Sequence, residues 1–243
     1  ARAFAFVKTH MIEDGRLHHS WREGRLQHRA MADDLVNMAD AALALAEAKG
    51  DEHYVADAES FIAELDAHYH DAANGAYFFT ADDAGALIVR TRTVADNATP
   101  AANGVLPGVL ARLALLTGRD DYFRRADEVI RAFAGELARN IFPLASWLAS
   151  FETRLWPVQI VLVGTAGEEM SKLRRAVFAV ALPNRVLSTI ADGGALPDAH
   201  PAHGKRTVGG KPTAYVCVGE TCSAPVTDAE ALRAVLLAAR GPS

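Results

Sequence analysis

The sequence is poor in three features that would narrow its class at once. Only two cysteines occur among 243 residues. No apolar run approaches the roughly 20 residues that a membrane-spanning helix needs. Basic residues are also scarce, because 25 Lys and Arg face 30 Asp and Glu and the net charge is -5. Nucleic acids and anionic membranes are bound by clustered Lys and Arg, so we expect neither kind of partner.

What is present is the composition of a globular protein with a sizeable core, since 50% of the residues are hydrophobic and 23% are charged. The length and pattern predict two domains, residues 1–156 and residues 157–243. The first residues lack the layout of a signal peptide, so we expect a cytoplasmic protein. A helical pattern at Phe4, Val7 and Met11 starts the chain without an initiating Met, which indicates a fragment of a longer protein.

An internal repeat emerges when the sequence is compared with itself at an offset of 68 residues. In each unit, apolar residues recur every three or four positions on both sides of a glycine, which predicts two helices joined by a tight turn. Asp51 and Asp120 follow the glycines as candidate caps of the second helices. The matched pairs are Gly50 with Gly118, Tyr54 with Tyr122, Ala58 with Ala126, Ile62 with Ile130, Leu45 with Leu113, and Arg22 with Arg90.

Strand-like segments separate the helix pairs. Residues 77–80 and 87–89 predict a β-hairpin, and residues 17–21 with the turn at 22–24 predict a similar insertion one unit earlier. Helix pairs with such inserts favour a mainly α fold that is part of an (α/α)6 toroid with β-hairpin inserts. An open solenoid of stacked hairpins is the alternative.

The final third of the chain has a different pattern. Pro157 ends the last helix of the first domain, residues 147–156, and strands are predicted at 158–163, 186–190 and 214–218, with helices at 168–179 and 228–239. This alternation predicts a small α/β tail with a partly parallel sheet. The turn at residues 164–167 lacks the full glycine fingerprint of a nucleotide site, and no cofactor is expected.

The repeat also suggests where a site lies. In a toroid the first helices of successive pairs point the same way, so their N-termini and preceding loops gather at one end. A polar loop there suits a polyhydroxylated ligand, and we expect ligand-binding roles for Asp33, Arg90, Arg92, Asn97, Asn103, Tyr77 and Trp21. A glycosidase needs one protonated and one ionised carboxyl group, for which Asp34 and Asp96 are the candidates. An epimerase needs paired bases, and His28 lies 68 residues before Asp96.

Each of these residues also has a structural interpretation. Asp33 and Asp34 stand where a helix N-cap is expected. Asp96 and Asn97 are residue types that fix loops through side-chain to backbone bonds, while Tyr77 and Trp21 are residue types that usually pack in a core. The histidines at 10, 18, 19 and 28 match no compact ligand spacing, so no metal is expected.

Several segments together resemble the YyaL and spermatogenesis-associated thioredoxin-like family, namely residues 27–34, residues 90–103, residues 212–217, Cys222 and Pro225. The resemblance covers nearly the whole chain. It implies the C-terminal portion of a protein in which a thioredoxin-like domain precedes a toroid similar to N-acylglucosamine 2-epimerases and six-hairpin glycosidases. A saccharide ligand is the analogy that follows. The family usually has Pro-Ser-Gly-Asn where this chain has Pro100, Ala101, Ala102 and Asn103.

The two cysteines, Cys217 and Cys222, have the spacing C-x4-C and not the C-x-x-C of a thioredoxin active site. In a cytosolic protein this spacing is first interpreted as two reduced thiols. The alternative is a redox exchange with the upstream thioredoxin-like domain. Two classes of function therefore stay open: a carbohydrate-binding or carbohydrate-active toroid, and a non-catalytic scaffold or redox partner.

Overall fold

The computed structural model describes residues 1–85, 87–194, 196, 200–219 and 221–240. The larger part of the described chain is built from helices and five short strands. These elements are α1 (Arg2–His10), β1 (Ile12–Glu13), β2 (Arg16–Arg22), β3 (Arg25–Arg29), α2 (Ala32–Lys49), α3 (His53–Tyr69), β4 (His70–Asp71), β5 (Ala76–Tyr77), α4 (Ala102–Thr117), α5 (Asp120–Phe133) and α6 (Ala145–Leu155).

Both predicted helical hairpins are confirmed. Gly50 and Gly118 adopt left-handed φ angles of 68° and 74° after α2 and α4, and their N–H groups bond back to Ala46 and Ala114. A residue with a Cβ rarely adopts this backbone conformation, which is why a glycine follows the C-terminal end of each of the two helices. The predicted cap at Asp120 is wrong, since Asp120 lies inside the first turn of α5 and no side chain caps that helix.

The hairpins pack side by side through their first helices. α2 contacts α4, and α4 contacts α6, while α3 and α5 cover the outer side. Gly104 and Gly108 let α4 approach α6 closely, because a Cβ at Gly104 would lie 2.1 Å from Ser146 Oγ. The protein is thus mainly α, and helices α2, α4 and α6 pack one against the next. The complete toroid stays an expectation.

The two predicted β-insertions have different outcomes. The first is confirmed, because β1, β2 and β3 form an antiparallel sheet with the β2–β3 turn at Glu23 and Gly24. The second is wrong: β5 pairs with β4, and residues 87–89 belong to no strand. The backbone of the predicted first strand bonds elsewhere, because the Phe78 N–H donates to the Tyr69 carbonyl and the Phe79 N–H to the Thr91 carbonyl, at 2.8 Å each.

The predicted α/β tail is confirmed in all its main elements. They are β6 (Val158–Val163), α7 (Glu168–Phe178), β7 (Arg185–Ile190), β8 (Thr213–Val218), β9 (Thr221–Cys222) and α8 (Ala229–Ala239). The sheet order is β7-β6-β8-β9, with β6 and β7 parallel and the other pairs antiparallel. Asp228 caps α8 through the N–H groups of Glu230 and Ala231.

The tail has its own apolar core, in which Ile160, Leu162 and Leu236 are fully buried. It packs against α2 and α4 through β7. One link is the Arg174 guanidinium, which donates to the Lys49 carbonyl at 2.9 Å at the end of α2. Among the described residues, none of the helices has both the length and the apolar character needed to cross a bilayer.

Candidate functional site

The starts of α2, α4 and α6 meet at one end of the helical layer, which we call the N-terminal rim. Asp33 Oδ1 on α2 accepts a hydrogen bond from the Ala102 N–H at 2.7 Å, at the start of α4. Asp96, in the loop before α4, accepts from the Ala101 N–H at 3.0 Å and from the Ser146 N–H at 2.8 Å. Two carboxylates therefore join three helix starts.

Asp34, the third carboxylate of the rim, is held by its own helix. Its Oδ2 accepts from the Met31 N–H at 2.7 Å and lies 2.7 Å from His19 Nδ1. The His19 side chain is 50% exposed and comes from β2. The β-insertion thus brings a titratable ring to the carboxylates.

Asp33 has a carboxyl group whose pKa is raised by its surroundings. Burial raises the pKa of Asp33 above its ordinary value, the bond from the Ala102 N–H opposes this effect, and the charges of Asp34 and Asp96 raise the pKa further. The last two contributions also show that the three carboxyl groups lie close enough to interact. The rim therefore combines three carboxyl groups that each accept a backbone hydrogen bond, and burial raises the pKa of one of them, Asp33.

The loop before α4 is fixed at Asp96 and open beyond it. Ser146 Oγ donates to Asp96 Oδ1 at 2.5 Å, so both oxygens of this carboxylate are engaged. Asn97 follows with its side chain exposed, and its N–H bonds to the Thr99 carbonyl at 3.1 Å. Among the predicted ligand-binding residues, Asn97 is one whose side chain faces solvent near the rim.

Asn103 and Tyr77 lie beneath the rim and are buried, each with 2% of its surface exposed. Asn103 accepts from the Tyr77 N–H at 3.0 Å and donates to the Tyr77 and Thr93 carbonyls at 2.9 Å each. The Tyr77 hydroxyl donates to Asp66 at 2.8 Å and accepts from Arg125 at 3.0 Å. These contacts position the loop, and neither side chain offers an open face for a sugar.

The two predicted arginines are engaged with the protein itself. Arg90 donates to the Thr80 and His68 carbonyls and stacks 4.2 Å from the centre of the Phe78 ring. Arg92 pairs with Asp71 at 2.7 Å and has a third of its side chain exposed. Arg92 therefore has more surface available for a ligand than Arg90.

Trp21 and His28 belong to the β2–β3 hairpin. Trp21 is 40% exposed and packs edge-on against Phe6, with His10 also beside it. His28 is exposed and has a φ of 58°, a left-handed conformation that is uncommon for a residue with a Cβ. No contact described for either side chain joins it to Asp96, the predicted partner of His28.

Ser146 and His19 are two polar contacts of the rim that the sequence analysis did not select. A serine just before an apolar helical stripe is a recognised sign of a helix start, so Ser146 carried a usable signal. His19 carried none, because its contact with Asp34 depends on how the β-insertion folds over α2.

One group of side chains elsewhere has the composition of a metal site. The ligand atoms of His68, Asp82 and Asp83 lie within 4.8 Å of one another. Arg16 already occupies this position, since it donates to Asp83 at 2.8 Å and lies 3.0 Å from His68 Nε2. The guanidinium supplies the positive charge that a metal would otherwise bring.

The cysteines form a disulfide between Cys217 and Cys222, so the interpretation as two reduced thiols is wrong for this structure. The two residues face each other on β8 and β9, in an antiparallel pair. Cys217 is buried at 4%, whereas Cys222 is exposed.

Fold and site together define a protein of helical hairpins with a carboxylate-bearing rim and an appended α/β unit. No protein-family model matches the chain. Spermatogenesis-associated protein 20 of Homo sapiens is 31% identical over 178 residues, which are 69% of this chain and 22% of that protein. The rat protein of the same name is 29% identical over 177 residues, also 69% of the chain and 22% of its relative. An uncharacterised protein of Caenorhabditis elegans is 26% identical over 208 residues, 84% of the chain and 28% of that protein.

The chain belongs to the family of spermatogenesis-associated protein 20, as its resemblance to the YyaL-like proteins indicated. The matched region spans about a fifth of the length of the first of these relatives, 22%. The chain therefore corresponds to a portion of a much longer protein.

Proposed function

We propose that the N-terminal rim binds a neutral polyhydroxylated ligand, a saccharide, and supports acid–base chemistry on it. The observation that carries this proposal is the geometry of the rim, where Asp33 and Asp96 join three helix starts and Asp34 lies beside them. Burial raises the pKa of Asp33, which is the usual way a carboxyl group is prepared to act as a general acid. Asp33 replaces Asp34 as the candidate acid, because burial acts on Asp33.

In this proposal Asp33 donates a proton to the leaving oxygen as the glycosidic bond breaks, and an ionised neighbour stabilises the positive charge that develops on the sugar ring. Water then adds to the anomeric carbon and gives up a proton to an ionised carboxylate, which restores the charge balance of the rim. Asp34 and Asp96 are the candidates for the ionised partner. Asn97 and Arg92 supply hydrogen-bond donors for sugar hydroxyls from the loop side. An epimerase would instead need a base opposite the acid, and His19 beside Asp34 is placed better for that role than His28.

The first test is a panel of saccharides scored by thermal shift on the full-length protein. We expect at least one saccharide to raise the melting temperature of the wild type, and Asp96→Ala to lose that ligand-dependent rise. Asp120→Asn is the matched control, because Asp120 is an exposed carboxylate at the opposite end of the hairpin. A panel with no stabilising saccharide, or an equal loss in Asp120→Asn, would overturn the proposal.

A second candidate function is that of a redox partner or scaffold for an upstream thioredoxin-like domain, and the disulfide favours it. A dithiol would attack the exposed Cys222 sulfur, break the Cys217–Cys222 bond and release the Cys217 thiolate, which takes up a proton. The second thiol of the donor would then release Cys222 and become oxidised in a new disulfide. Protein and donor exchange two electrons.

Mass spectrometry of the full-length protein after treatment with a reduced dithiol tests this second function. Rapid reduction of the pair, and a trapped mixed disulfide at Cys222 when the donor lacks its second thiol, are expected. A pair that stays oxidised while the protein is folded, and is reduced only on unfolding, would exclude redox exchange.

A further inference from the structure

A second polar cleft lies on the inner helices, beyond the rim and toward their C-terminal halves. It has a volume of about 260 Å³ and is bounded by α2, α4, α6 and the beginning of β7. We call it the arginine cleft, and its polar lining residues are Asp40, Glu47, Arg112, Ser150, Thr153 and Arg185. None of these residues takes part in the rim.

Glu47 forms the floor of the arginine cleft and is 4% exposed. Its carboxylate accepts from Arg112 Nη2 at 3.3 Å, from Arg185 Nε at 3.4 Å and from the Leu187 N–H at 3.4 Å. One buried negative charge is thus shared between two guanidinium groups. Glu47 balances one of the two positive charges, and the second is balanced only by the half-exposed Asp40, which a ligand anion can replace.

Arg112 has the donors to hold that second anion. Its side chain is 14% exposed, and Nη1 donates at 2.6 Å to Asp40, whose own side chain is 47% exposed. Arg112 Nε is buried and has no acceptor among the described residues. A buried donor without an acceptor is costly and usually marks the place of a ligand or water. The Asp40 pair is only weakly stabilising, because an exposed ion pair is screened by solvent.

The opposite wall of the cleft carries two hydroxyl groups on α6. Ser150 Oγ donates to the Val105 carbonyl at 3.2 Å, and Thr153 Oγ1 donates to the Ala149 carbonyl at 3.0 Å. Each hydroxyl has therefore committed its hydrogen and can accept one from a ligand. Acceptors on one wall and guanidinium donors on the other suit a ligand that has both hydroxyl groups and an anionic group.

We propose that the arginine cleft binds a small hydroxylated carboxylate, the chemical class of the sugar acids. The ligand carboxylate displaces Asp40 from Arg112 and provides an acceptor for Nε, and its hydroxyls donate to Ser150 and Thr153. The cleft is slightly smaller than the ~300–1,000 Å³ of sites for drug-sized ligands, which favours a compound of sugar size over a nucleotide. The site is separate from the rim and does not depend on the function proposed there.

Isothermal titration of the full-length protein with gluconate tests the proposal, with sorbitol as the neutral control of matched size and phosphate as an anion without hydroxyl carbons. Gluconate is expected to bind, and both controls are expected to bind at least about tenfold more weakly. Sorbitol lacks the charge-assisted bond to Arg112, and phosphate lacks the carbon-borne hydroxyls that donate to Ser150 and Thr153. Equal binding of phosphate, or no binding of gluconate, would overturn the proposal.

Two substitutions separate ligand binding from a purely structural ion network. Arg112→Gln is expected to weaken gluconate binding by about ten- to a hundredfold. Asp40→Asn is expected to tighten it, because it removes the carboxylate that competes for Arg112 while preserving the size of the side chain. A structural role alone would make Asp40→Asn neutral or harmful to binding, and that result would contradict the proposal. Asp120→Asn, at an exposed carboxylate that does not line the cleft, should leave gluconate binding unchanged.

Discussion

Helices α2 and α4 occupy equivalent places in the repeat, end in the same way and begin differently. Gly50 and Gly118 are 68 positions apart, whereas α2 begins at Ala32 and α4 begins at Ala102, 70 positions later. Asp34 of α2 bonds the backbone of its own first turn. Its equivalent is Ala102, and α4 depends on Asp33 and Asp96 instead. Helix α4 thus takes its capping acceptors from neighbouring segments, and this arrangement brings the carboxylates together.

The same comparison applies deeper in the two helices. Glu47 of α2 and Leu115 of α4 are equivalent positions of the 68-residue repeat, and so are Leu35 and Asn103. Each helix therefore carries one buried polar residue where its counterpart is apolar. Both polar residues organise something outside the repeat: Glu47 contacts the tail, and Asn103 contacts the loop before α4. Departures from the repeat mark the positions with added roles.

The largest effect is expected from Glu47→Gln. It removes the buried charge that Arg112 and Arg185 share, so that Arg112 keeps only Asp40 as a carboxylate partner and Arg185 loses Glu47. Breaking a buried ion pair in this way costs about 3–5 kcal/mol. Urea unfolding of wild type and variant measures the change. A conservative Leu115→Met substitution at the equivalent position should cost less than about 1.5 kcal/mol, and equal losses would contradict the assigned difference.

Asn103→Ala comes next in expected size. It leaves the Tyr77 N–H and the Tyr77 and Thr93 carbonyls without this partner in a buried setting. Each unsatisfied buried group costs about 1–3 kcal/mol, so we expect a loss of at least about 2 kcal/mol in the free energy of unfolding. Leu35→Ala is the matched change in the other repeat and creates a cavity instead. Faster hydrogen exchange in the loop before α4 should accompany Asn103→Ala but not Leu35→Ala.

A smaller effect in the opposite direction is expected from Ala101→Ser. Ala101 is the N-cap of α4 and has the extended backbone conformation of a capping residue. A serine there gives α4 its own acceptor and should stabilise the protein by about 1 kcal/mol. It should also reduce the dependence of α4 on Asp33, so the effect of Asp33→Asn on stability should become smaller in the Ala101→Ser background. Strictly additive effects in a double-mutant cycle would show that the two caps are independent.

The smallest predicted effect is a change of stability with pH. Because the folded state raises the pKa of Asp33 above its ordinary value of 3.8, the unfolded state releases this proton first as the pH rises. As the pH rises from 3.8 to the raised pKa of the folded state, Asp33 therefore lowers the free energy of unfolding progressively. Asp33→Asn should remove this pH dependence, so the free energy of unfolding of the variant should rise relative to that of the wild type from pH 4 to pH 7. Denaturant titrations across this range, with Asp120→Asn as the control, measure it; parallel curves for Asp33→Asn and wild type would be the contrary result.

The fold was predictable where local sequence controls it. Glycine stops and apolar stripes mark the helices of the repeat and tail, and period-2 or continuous apolar runs mark β6, β7 and β8. The second insertion was not predictable, because the Phe78 and Phe79 N–H groups reach their acceptors, the Tyr69 and Thr91 carbonyls, only after the chain has folded back. Residues 77–79 and 87–89 have the aromatic and apolar side chains that are typical of a β-hairpin, but the two segments do not form a strand pair.

The site was predictable in location and less so in roles. Helix starts that gather at one end follow from the repeat, which places Asp33, Asp34 and Asp96 correctly near one another. Which carboxyl group is buried depends on the packing of α2 against α4, and sequence spacing carries no such information. Tyr77 and Asn103 illustrate the same limit, since their types suit a ligand but burial commits them to the loop. The disulfide likewise depends on the β8–β9 register.

The most direct test of the rim as a saccharide site separates binding from reaction in Asp33→Asn. The amide keeps an acceptor for the Ala102 N–H and resembles the protonated acid in charge, but it has no proton to donate in catalysis. The measurement is saccharide affinity by titration calorimetry together with product formation, on full-length wild type and variant. The account predicts unchanged affinity and lost product formation in Asp33→Asn. Product formation at the wild-type rate, or the absence of saccharide binding in both proteins, would contradict it.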